Sequence, residues 1–185
     1  LDDEARLRDD AIPGAVQLHR FDLGRIAAGT LRLSVRGAVE GTTIDIAASE
    51  HVDDAGLLVT LGQHAGLRYV CAGGDAEFES LDIIGTRFLH ASVRVPEGAP
   101  IPDLDLAIAD RHRPRPADAS FECSDPLLNE IHAVGLRTVD LCALDAYVDC
   151  PTREQRAWTG DSVVHQMVDL VSNPDWSMAI WHPQL

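Results

Sequence analysis

The sequence predicts a mixed, multidomain chain in which an antiparallel β-sandwich is followed by helices. From about Val16 to Asp110, apolar and polar residues alternate with the period of β-strands, and from Asp125 onward apolar residues recur with the period of helices. Between these parts lies a segment rich in proline and arginine that shows no apolar periodicity. We therefore expect a β-sandwich domain at residues 1–110, a linker at 111–124 and a helical domain at 125–185.

The strand prediction depends on short alternating segments. In TLRLSVRG, the aliphatic residues Leu31, Leu33 and Val35 alternate with polar ones, which places the aliphatic side chains on one face of a pleated strand. Glycine, proline and aspartate separate this segment from further ones of similar character: TTIDIAAS, LRYVCAGG, AEFESLDIIG, TRFLHASVRV and LDLAIADR. Strands that recur at such spacing, with turn residues between them, are typical of an antiparallel sandwich.

The predicted linker begins with RHRPRPADAS, which contains two prolines and three arginines. Proline keeps such a segment extended, and charged side chains favour contact with solvent. The arginines could form a binding patch, but a solvated connector is the interpretation that we favour.

The first helix is predicted in SDPLLNEIHAVGLRTVDLCAL, where Asp125 can cap the helix and Pro126 can occupy its first position. The residues that share one helical face are Leu127, Ile131, Val134, Thr138, Leu141 and Cys142. A second helix is expected from Asp161, in DSVVHQMVDLVS. A third is expected in NPDWSMAIW, where Asn173 can act as the cap and Pro174 can begin the helix.

The composition is strongly acidic, since 30 Asp and Glu residues and 15 Lys and Arg residues give a formal net charge of −15. Nucleic-acid binding depends on a basic surface, so we expect no nucleic-acid partner. No apolar run is long enough to span a membrane, and the opening segment LDDEARLRDD is too charged for a secretory signal peptide. We expect a cytoplasmic location, although a start at Leu1 suggests a piece of a longer protein whose export signal could lie elsewhere.

The four cysteines show no C-x-x-C spacing and lie in or beside apolar stretches, so we expect reduced thiols with a structural role. The eight histidines form no H-E-x-x-H motif and no Cys/His cluster with zinc spacing. We therefore predict neither a metal site nor a cofactor.

The segment DCPTREQRAW, between the first two helices, carries the most unusual cluster of side chains. If Pro151 opens a short helical turn, Glu154 and Trp158 share a face, while Arg153 and Arg156 project away from Glu154. The carboxyl group would then meet the indole. Loops held on a rigid scaffold often carry functional residues, so this connection is the candidate site.

Two interpretations of this cluster remain open from spacing alone. An apolar wall and the nearby Asp149 and Asp161 raise the pKa of a glutamate, which would make Glu154 a general acid, whereas arginines that fold back lower that pKa. Aspartates, arginine and an indole face also suit a carbohydrate. In the structural alternative, which spacing alone favours, Glu154 pairs with arginine, Trp158 lies in the core and the aspartates cap helices.

The segment DCPTREQRAWTGD resembles the signature of the bacterial α-L-rhamnosidases of glycoside hydrolase family 78, and SFECSDPLLNEIH upstream is also similar to this family. Similar phrases in the first half of the chain are FDLGRIAAGTLRLSVRG, GTTIDIAASE before DDAGLL, and GLRYVCAGG leading to IIGTRFLHASV. The resemblance covers nearly the whole chain. It implies that residues 125–185 are the N-terminal part of a catalytic (α/α)6 barrel, truncated here.

The resemblance further implies an inverting glycosidase that cleaves terminal α-L-rhamnose from glycosides. Glu154 matches the general acid, and the adjacent Gln155 cannot serve as one. The residues that match the family's sugar-binding positions are Asp149, Arg153, Trp158 and Asp161. An inverting mechanism needs a second carboxylate, roughly 6.5 to 9.5 Å from the acid, as general base. In the family this base lies on a later helix, so we expect it outside this chain.

Two alternatives to this hydrolase remain. One is a non-catalytic carbohydrate-binding or structural module, and the other is an inverting glycosidase with a different sugar specificity on the same scaffold. The expected partners are rhamnose-containing glycosides. Without later barrel helices, the apolar helix faces would pack on the sandwich, on further chain or on a second copy, so a homo-oligomer is also expected as one outcome.

Overall fold

The computed structural model describes residues 16–59, 66–114 and 120–184 of the chain, which form two structural units divided between Asp110 and Arg111. The strands of the first unit are β1 (Val16–Ala38), β2 (Thr43–Ser49), β3 (His51–Val52), β4 (Leu58–Val59), β5 (Gly66–Val70), β6 (Gly74–Arg94) and β7 (Asp103–Asp110). The helices of the second unit are α1 (Pro126–Cys142), α2 (Thr159–Ser172) and α3 (Ser177–Trp181), followed by a 3-10 helix at His182–Gln184.

Five strands form one antiparallel sheet in the order β5-β2-β6-β1-β7, and β3 and β4 form a separate two-stranded ribbon. The long strands β1 and β6 pair from Val16↔Arg94 to Ala38↔Gly74, with three shifts of register on the way. In one half of the sheet, β2 pairs with residues 88–94 of β6 and with β5. In the other half, β7 pairs with residues 29–36 of β1.

A single apolar core draws on both halves of this sheet. Its largest members are Leu31, Leu33, Val35 and Leu106 from one half, and Ile44, Ile46, Leu89 and Val93 from the other. Bulges increase the bend and twist of paired strands, so the register shifts allow the sheet to enclose this core. The predicted antiparallel sandwich and its alternating apolar face are therefore confirmed.

The number of strands was predicted wrongly for one part of this unit. The segments AEFESLDIIG and TRFLHASVRV, expected as separate strands, belong to the continuous strand β6. Gly85, which looked like a turn residue, instead pairs with Ala28 inside the long β1–β6 ladder. Glycine in a strand often marks a bend rather than a turn, and local sequence does not distinguish the two.

A second glycine, Gly29 in β1, lies where the β7 backbone comes closest. A Cβ atom added to Gly29 would lie 1.9 Å from the carbonyl oxygen of Ala109. Since no side chain fits at that distance, this close approach of the paired strands β1 and β7 requires glycine.

The first helix begins as predicted, because the Oδ1 of Asp125 accepts a hydrogen bond from the backbone N–H of Leu127 at 2.9 Å and Pro126 occupies the first turn. Its expected core face is mostly exposed in this chain. Leu127 is 60% exposed, and on that face only Cys142 is buried, beside Val139, which lies off it. A helical period identifies the apolar face, but burial also needs a neighbouring element to cover that face.

The other two helices begin at residues that differ from the prediction. Helix α2 begins at Thr159, before Asp161, and has no side-chain cap. Asn173 does not cap α3, because it ends α2 by donating its backbone N–H to the Asp169 carbonyl at 2.8 Å. Helix α3 begins only at Ser177, whose N–H donates to Asp175 Oδ1 at 2.9 Å.

Arg113, predicted to lie in a solvated linker, is instead an anchor of the helical unit. Its guanidinium is only 13% exposed and forms ion pairs with Asp169, at 3.3 Å, and Asp175, at 2.6 Å. The proline-rich sequence correctly indicated the absence of regular structure at 111–114, but not this long-range pairing. None of the helices that the structure describes is long and apolar enough to span a membrane.

Candidate functional site

The candidate site lies in the connection between α1 and α2, at residues 143–158. The connection starts with an isolated antiparallel bridge between Ala143 and Tyr147. A turn follows at residues 151–154, and residues 155–158 then lead into α2 without regular structure. The predicted helical turn is therefore limited to its first residues, because Gln155 adopts a left-handed backbone conformation with φ of 51°.

Asp149 closes this connection into a loop. Its Oδ1 accepts a hydrogen bond from the backbone N–H of Arg156 at 2.7 Å, and its own N–H donates to the Arg156 carbonyl at 2.9 Å. Burial by itself would raise the pKa of Asp149, but hydrogen bonds from the Arg156 N–H, the Cys150 thiol and the local backbone outweigh it and lower the pKa. Asp149 is thus ionised, and its hydrogen bonds to Arg156 close the base of the loop.

Cys150 lies inside this loop and contacts both Asp149 and Glu154. Its Sγ lies 3.1 Å from Asp149 Oδ2 and 3.4 Å from the backbone nitrogen of Glu154, which donates to it. Behind it, burial and then the charges of Cys150 and Asp149 raise the pKa of the Cys142 thiol to about 12. All four cysteines are free thiols, as the sequence predicted.

The carboxylate of Glu154 sits between an arginine and a tryptophan. Its Oε2 accepts a hydrogen bond from the indole Nε1 of Trp158 at 2.9 Å, and its Oε1 contacts the guanidinium of Arg153. The Glu154 side chain is 31% exposed and Trp158 is 53% exposed. The structure therefore brings together Arg153, Glu154 and Trp158 in one solvent-facing group.

Two details of this group bear on the sequence interpretation. Arg153 would project away from Glu154 on a continued helical turn, but its guanidinium contacts the Glu154 carboxylate, as the structural alternative expected. The structural alternative placed Trp158 in the core, and this is wrong, since half of its surface is open to solvent.

Asp161 stands apart from the other four predicted residues. It is exposed in the first turn of α2, and no hydrogen bond or ion pair joins it to the other four within the part of the chain that the structure describes. Its charge instead acts on His165, one turn further along α2.

A buried polar network supports the loop from behind. The fully buried Tyr147 donates its hydroxyl to Asp169 Oδ2, and its backbone N–H donates to His182 Nδ1 at 3.2 Å. Arg113 binds the same Asp169 oxygen at 3.3 Å. The ring of His165 stacks on that of Tyr147, with 6.1 Å between their centroids.

Sequence reasoning missed this network, although α2 contains a signal for it. Four polar residues of α2 recur at spacings of three and four and are buried: Ser162, His165, Asp169 and Ser172. The apolar residues Val164, Met167 and Val171 are exposed instead. The shared spacing places these four polar residues on one helical face, which is the feature of the sequence that points to the network. Among the described residues, no group of His, Cys, Asp and Glu side chains is arranged to hold a metal ion.

Comparison with known protein families gives two matches that follow each other along the chain. Residues 17–97 match the bacterial alpha-L-rhamnosidase concanavalin-like domain, and residues 116–175 match the bacterial alpha-L-rhamnosidase 6 hairpin glycosidase domain. The first match covers most of the sheet unit, and the second covers the candidate site and its flanking helices.

Individual relatives agree with these matches. An alpha-L-rhamnosidase of Formosa agariphila is 27% identical over 149 residues, which is 76% of this chain and 15% of that protein. The crystal structure of a GH78 family rhamnosidase of Bacillus sp. GL1 is 28% identical, with a TM-score of 0.82, and the match covers 94% of this chain and 18% of the other.

The native alpha-L-rhamnosidase of Aspergillus terreus is also 28% identical, with a TM-score of 0.61 over 76% of this chain and 17% of the other. The chain thus spans less than a fifth of the length of each of these three relatives.

Proposed function

Since the chain belongs to the bacterial α-L-rhamnosidase family, we propose that it forms part of a glycoside hydrolase that removes terminal α-L-rhamnose from glycosides. The observation that carries the proposal is the solvent-facing group of Glu154 and Trp158, on a loop that Asp149 closes. In this proposal Glu154 is the general acid that protonates the departing glycosidic oxygen.

The geometry suits this role in two respects. The indole N–H of Trp158 holds one oxygen of Glu154 at 2.9 Å, which orients the carboxyl group, and the exposed indole face offers a surface for the C–H groups of a sugar ring. Arg153 contacts the other oxygen, so a sugar oxygen would take the place of that guanidinium when the acid acts.

The remaining two residues take different parts in the proposed site. Asp161 is exposed and has its carboxylate available to accept hydrogen bonds from sugar hydroxyls. Asp149 uses Oδ1 to close the loop, which leaves Oδ2, beside Cys150, as the oxygen that can face a ligand.

The general base of an inverting reaction is proposed to lie outside this chain. Inversion needs a second carboxylate on the opposite face of the sugar ring, where it activates water. Carboxylates of the helical unit with no assigned role include Glu122, Glu130 and Asp145, which are exposed and show no pattern that would make any of them a base.

A second candidate function is a non-catalytic carbohydrate-binding module. The contact between Arg153 and Glu154 favours it, because a carboxylate held by a guanidinium can serve to shape a binding loop without donating a proton. The two candidates differ in whether the protein turns over rhamnosides, and in whether that turnover depends on Glu154.

The test replaces Glu154 with glutamine in the full-length enzyme. We expect turnover of an alkyl α-L-rhamnoside, whose leaving group needs a proton, to fall by about 10²- to 10⁴-fold, while KM changes little. Turnover of 4-nitrophenyl α-L-rhamnoside should fall much less, because nitrophenolate departs without protonation.

Glu130→Gln, an exposed glutamate on α1, is the matched control and should leave both rates unchanged. Equal losses on the two substrates would contradict the assignment of Glu154. If the unaltered full-length protein binds rhamnosides but turns over neither substrate, the result would support the binding module.

A further inference from the structure

Gln155 has the most unusual backbone in the candidate site. Across the residues that the structure describes, it is the only non-glycine residue with a positive φ, at 51°. Such left-handed residues are strained unless they are glycine, and they persist where the surrounding structure imposes them, often at functional sites. Gln155 directly follows Glu154, the proposed general acid.

The left-handed residue changes which groups the loop backbone binds. In a continued helix, the N–H of Arg156 would bond to the carbonyl of Thr152. Here it bonds to Asp149 Oδ1 at 2.7 Å, and the Arg156 carbonyl accepts the N–H of Asp149. The chain therefore reverses its direction at Gln155, and this reversal converts the start of a helix into a closed loop.

The same reversal sets the position of Glu154 relative to Trp158. Arg156 turns back to Asp149, and its carbonyl also accepts the N–H of Trp158 at 2.9 Å. These bonds bring the indole to the Glu154 carboxylate, where Nε1 and Oε2 lie 2.9 Å apart. The side-chain amide of Gln155 donates to the Pro151 carbonyl at 2.8 Å, which ties the reversal to the beginning of the turn.

We propose that Gln155 is a positioning residue whose left-handed conformation aims the carboxyl group of Glu154 at the glycosidic oxygen. Gln155 acts through Glu154 and takes no part in the proton transfer itself. This inference rests on the proposed function, because it assigns Gln155 a role only if Glu154 is the general acid.

The test compares two substitutions at Gln155 in the full-length enzyme. Valine is β-branched and strongly disfavours positive φ, whereas glycine adopts positive φ freely. We expect Gln155→Val to lower turnover of the alkyl rhamnoside by about 10²-fold, the usual cost of a misplaced catalytic group, with KM nearly unchanged. Turnover of the 4-nitrophenyl rhamnoside should change little, because that leaving group needs no proton.

Gln155→Gly should keep the alkyl rate close to that of the unaltered enzyme. Gln155 is exposed, so the fold should survive both substitutions. If the valine variant does not fold, Gln155→Ala takes its place as a milder departure from the left-handed region. If Gln155 had only a structural role, Gln155→Val would lower turnover of both substrates to the same extent, and this result would overturn the inference.

The Glu154→Gln variant separates the two proposals. If it shows the leaving-group dependence and Gln155→Val does not, the positioning role of Gln155 is wrong and the general acid stands. If Glu154→Gln itself affects both substrates equally, the assignment of the acid fails, and that of Gln155 with it.

Discussion

Asp169 is the residue on which most of the helical unit's buried polar contacts converge. Tyr147, Arg113 and the side-chain amide of Asn173 all donate to its carboxylate, which lies in the last turn of α2. A buried charge is costly unless it is paired and hydrogen-bonded, so these donors allow a carboxylate to occupy the interior. Because Tyr147 precedes Asp149 by only two positions, the network also fixes the first residues of the loop.

Removal of one donor to Asp169 should weaken the helical unit. Tyr147→Phe keeps the buried ring and removes only the hydroxyl, so we expect the free energy of unfolding to fall by about 1–3 kcal/mol. Tryptophan fluorescence in a urea titration measures this unit selectively, because all three tryptophans, Trp158, Trp176 and Trp181, belong to it. The control is Tyr69→Phe in the sheet unit, which should leave the fluorescence transition in place.

His165 should make the helical unit sensitive to acid. Burial lowers the pKa of His165 below its usual value of 6.5 and His182 acts in the same direction, while the charges of Asp161 and Asp149 oppose them. Below pH 6.5 the unfolded chain binds a proton that the folded unit does not, so stability should fall as pH drops. Urea titrations across this range should show the slope, and His165→Gln should reduce it. An unchanged slope in that variant would contradict the role of His165.

The sequence predicted which side chains lie together better than it predicted their contacts. The fixed pattern of DCPTREQRAWTGD led to Arg153, Glu154 and Trp158, and these three do lie together. The left-handed backbone at Gln155, by contrast, is not encoded in residue spacing. Arg113 lies 56 positions from Asp169, and no local pattern predicts a pair at that separation.

At the scale of elements, the long strands β1 and β6 organise the sheet unit. Each takes part in both halves of the sheet, so each contributes to the whole core. Alternation predicted which residues face the core, because a pleated strand has a fixed period of two. It did not predict the length of these strands, because a bulge and a turn both contain glycine and polar residues.

Because β1 and β7 approach each other closely at Gly29, this position of the sheet should tolerate substitution least. Gly29→Ala would put a Cβ 1.9 Å from a backbone oxygen of β7, so we expect the sheet unit to lose about 1–3 kcal/mol or more of its unfolding free energy. Circular dichroism of the strands during urea unfolding measures the loss. Gly135→Ala on α1 is the control, since its Cβ would meet nothing within 4 Å and alanine favours the helix. A Gly29 variant of unaltered stability would show that β7 can move away.

At the scale of the whole chain, the loop of the proposed acid is combined with exposed apolar helix faces. The proposed acid is present on a well-formed loop, while no residue of the chain has been assigned as the base. On α1 and α2 the exposed apolar side chains include Ile131 and Val134, at 57% each, and Met167, at 67%. Apolar surfaces of this kind commonly mark sites that another part of a protein or a second copy covers.

We expect the 185-residue chain by itself to hydrolyse no rhamnoside. Protonation of the leaving oxygen is one half of an inverting reaction, and without a carboxylate to activate water the other half has no catalyst. The purified chain should therefore release no nitrophenol from 4-nitrophenyl α-L-rhamnoside above the spontaneous rate in buffer. Turnover above that rate would place the base within residues 1–185 and would contradict our account of the site.

The pairing of β1 with β6 determines when the sheet unit can fold during synthesis. The first residue of β1 pairs with the last residue of β6, Val16 with Arg94, and β2 and β5 lie between them in the sequence. The sheet therefore has a high contact order. Such topologies fold slowly because segments distant in the sequence must meet, with a loss of chain entropy, before their contacts stabilise the fold. On the ribosome, β1 emerges long before its two neighbours, β6 and β7. The nascent chain thus displays the apolar face of β1 until Asp110 has left the exit tunnel, and this interval is when chaperones would be most useful to it.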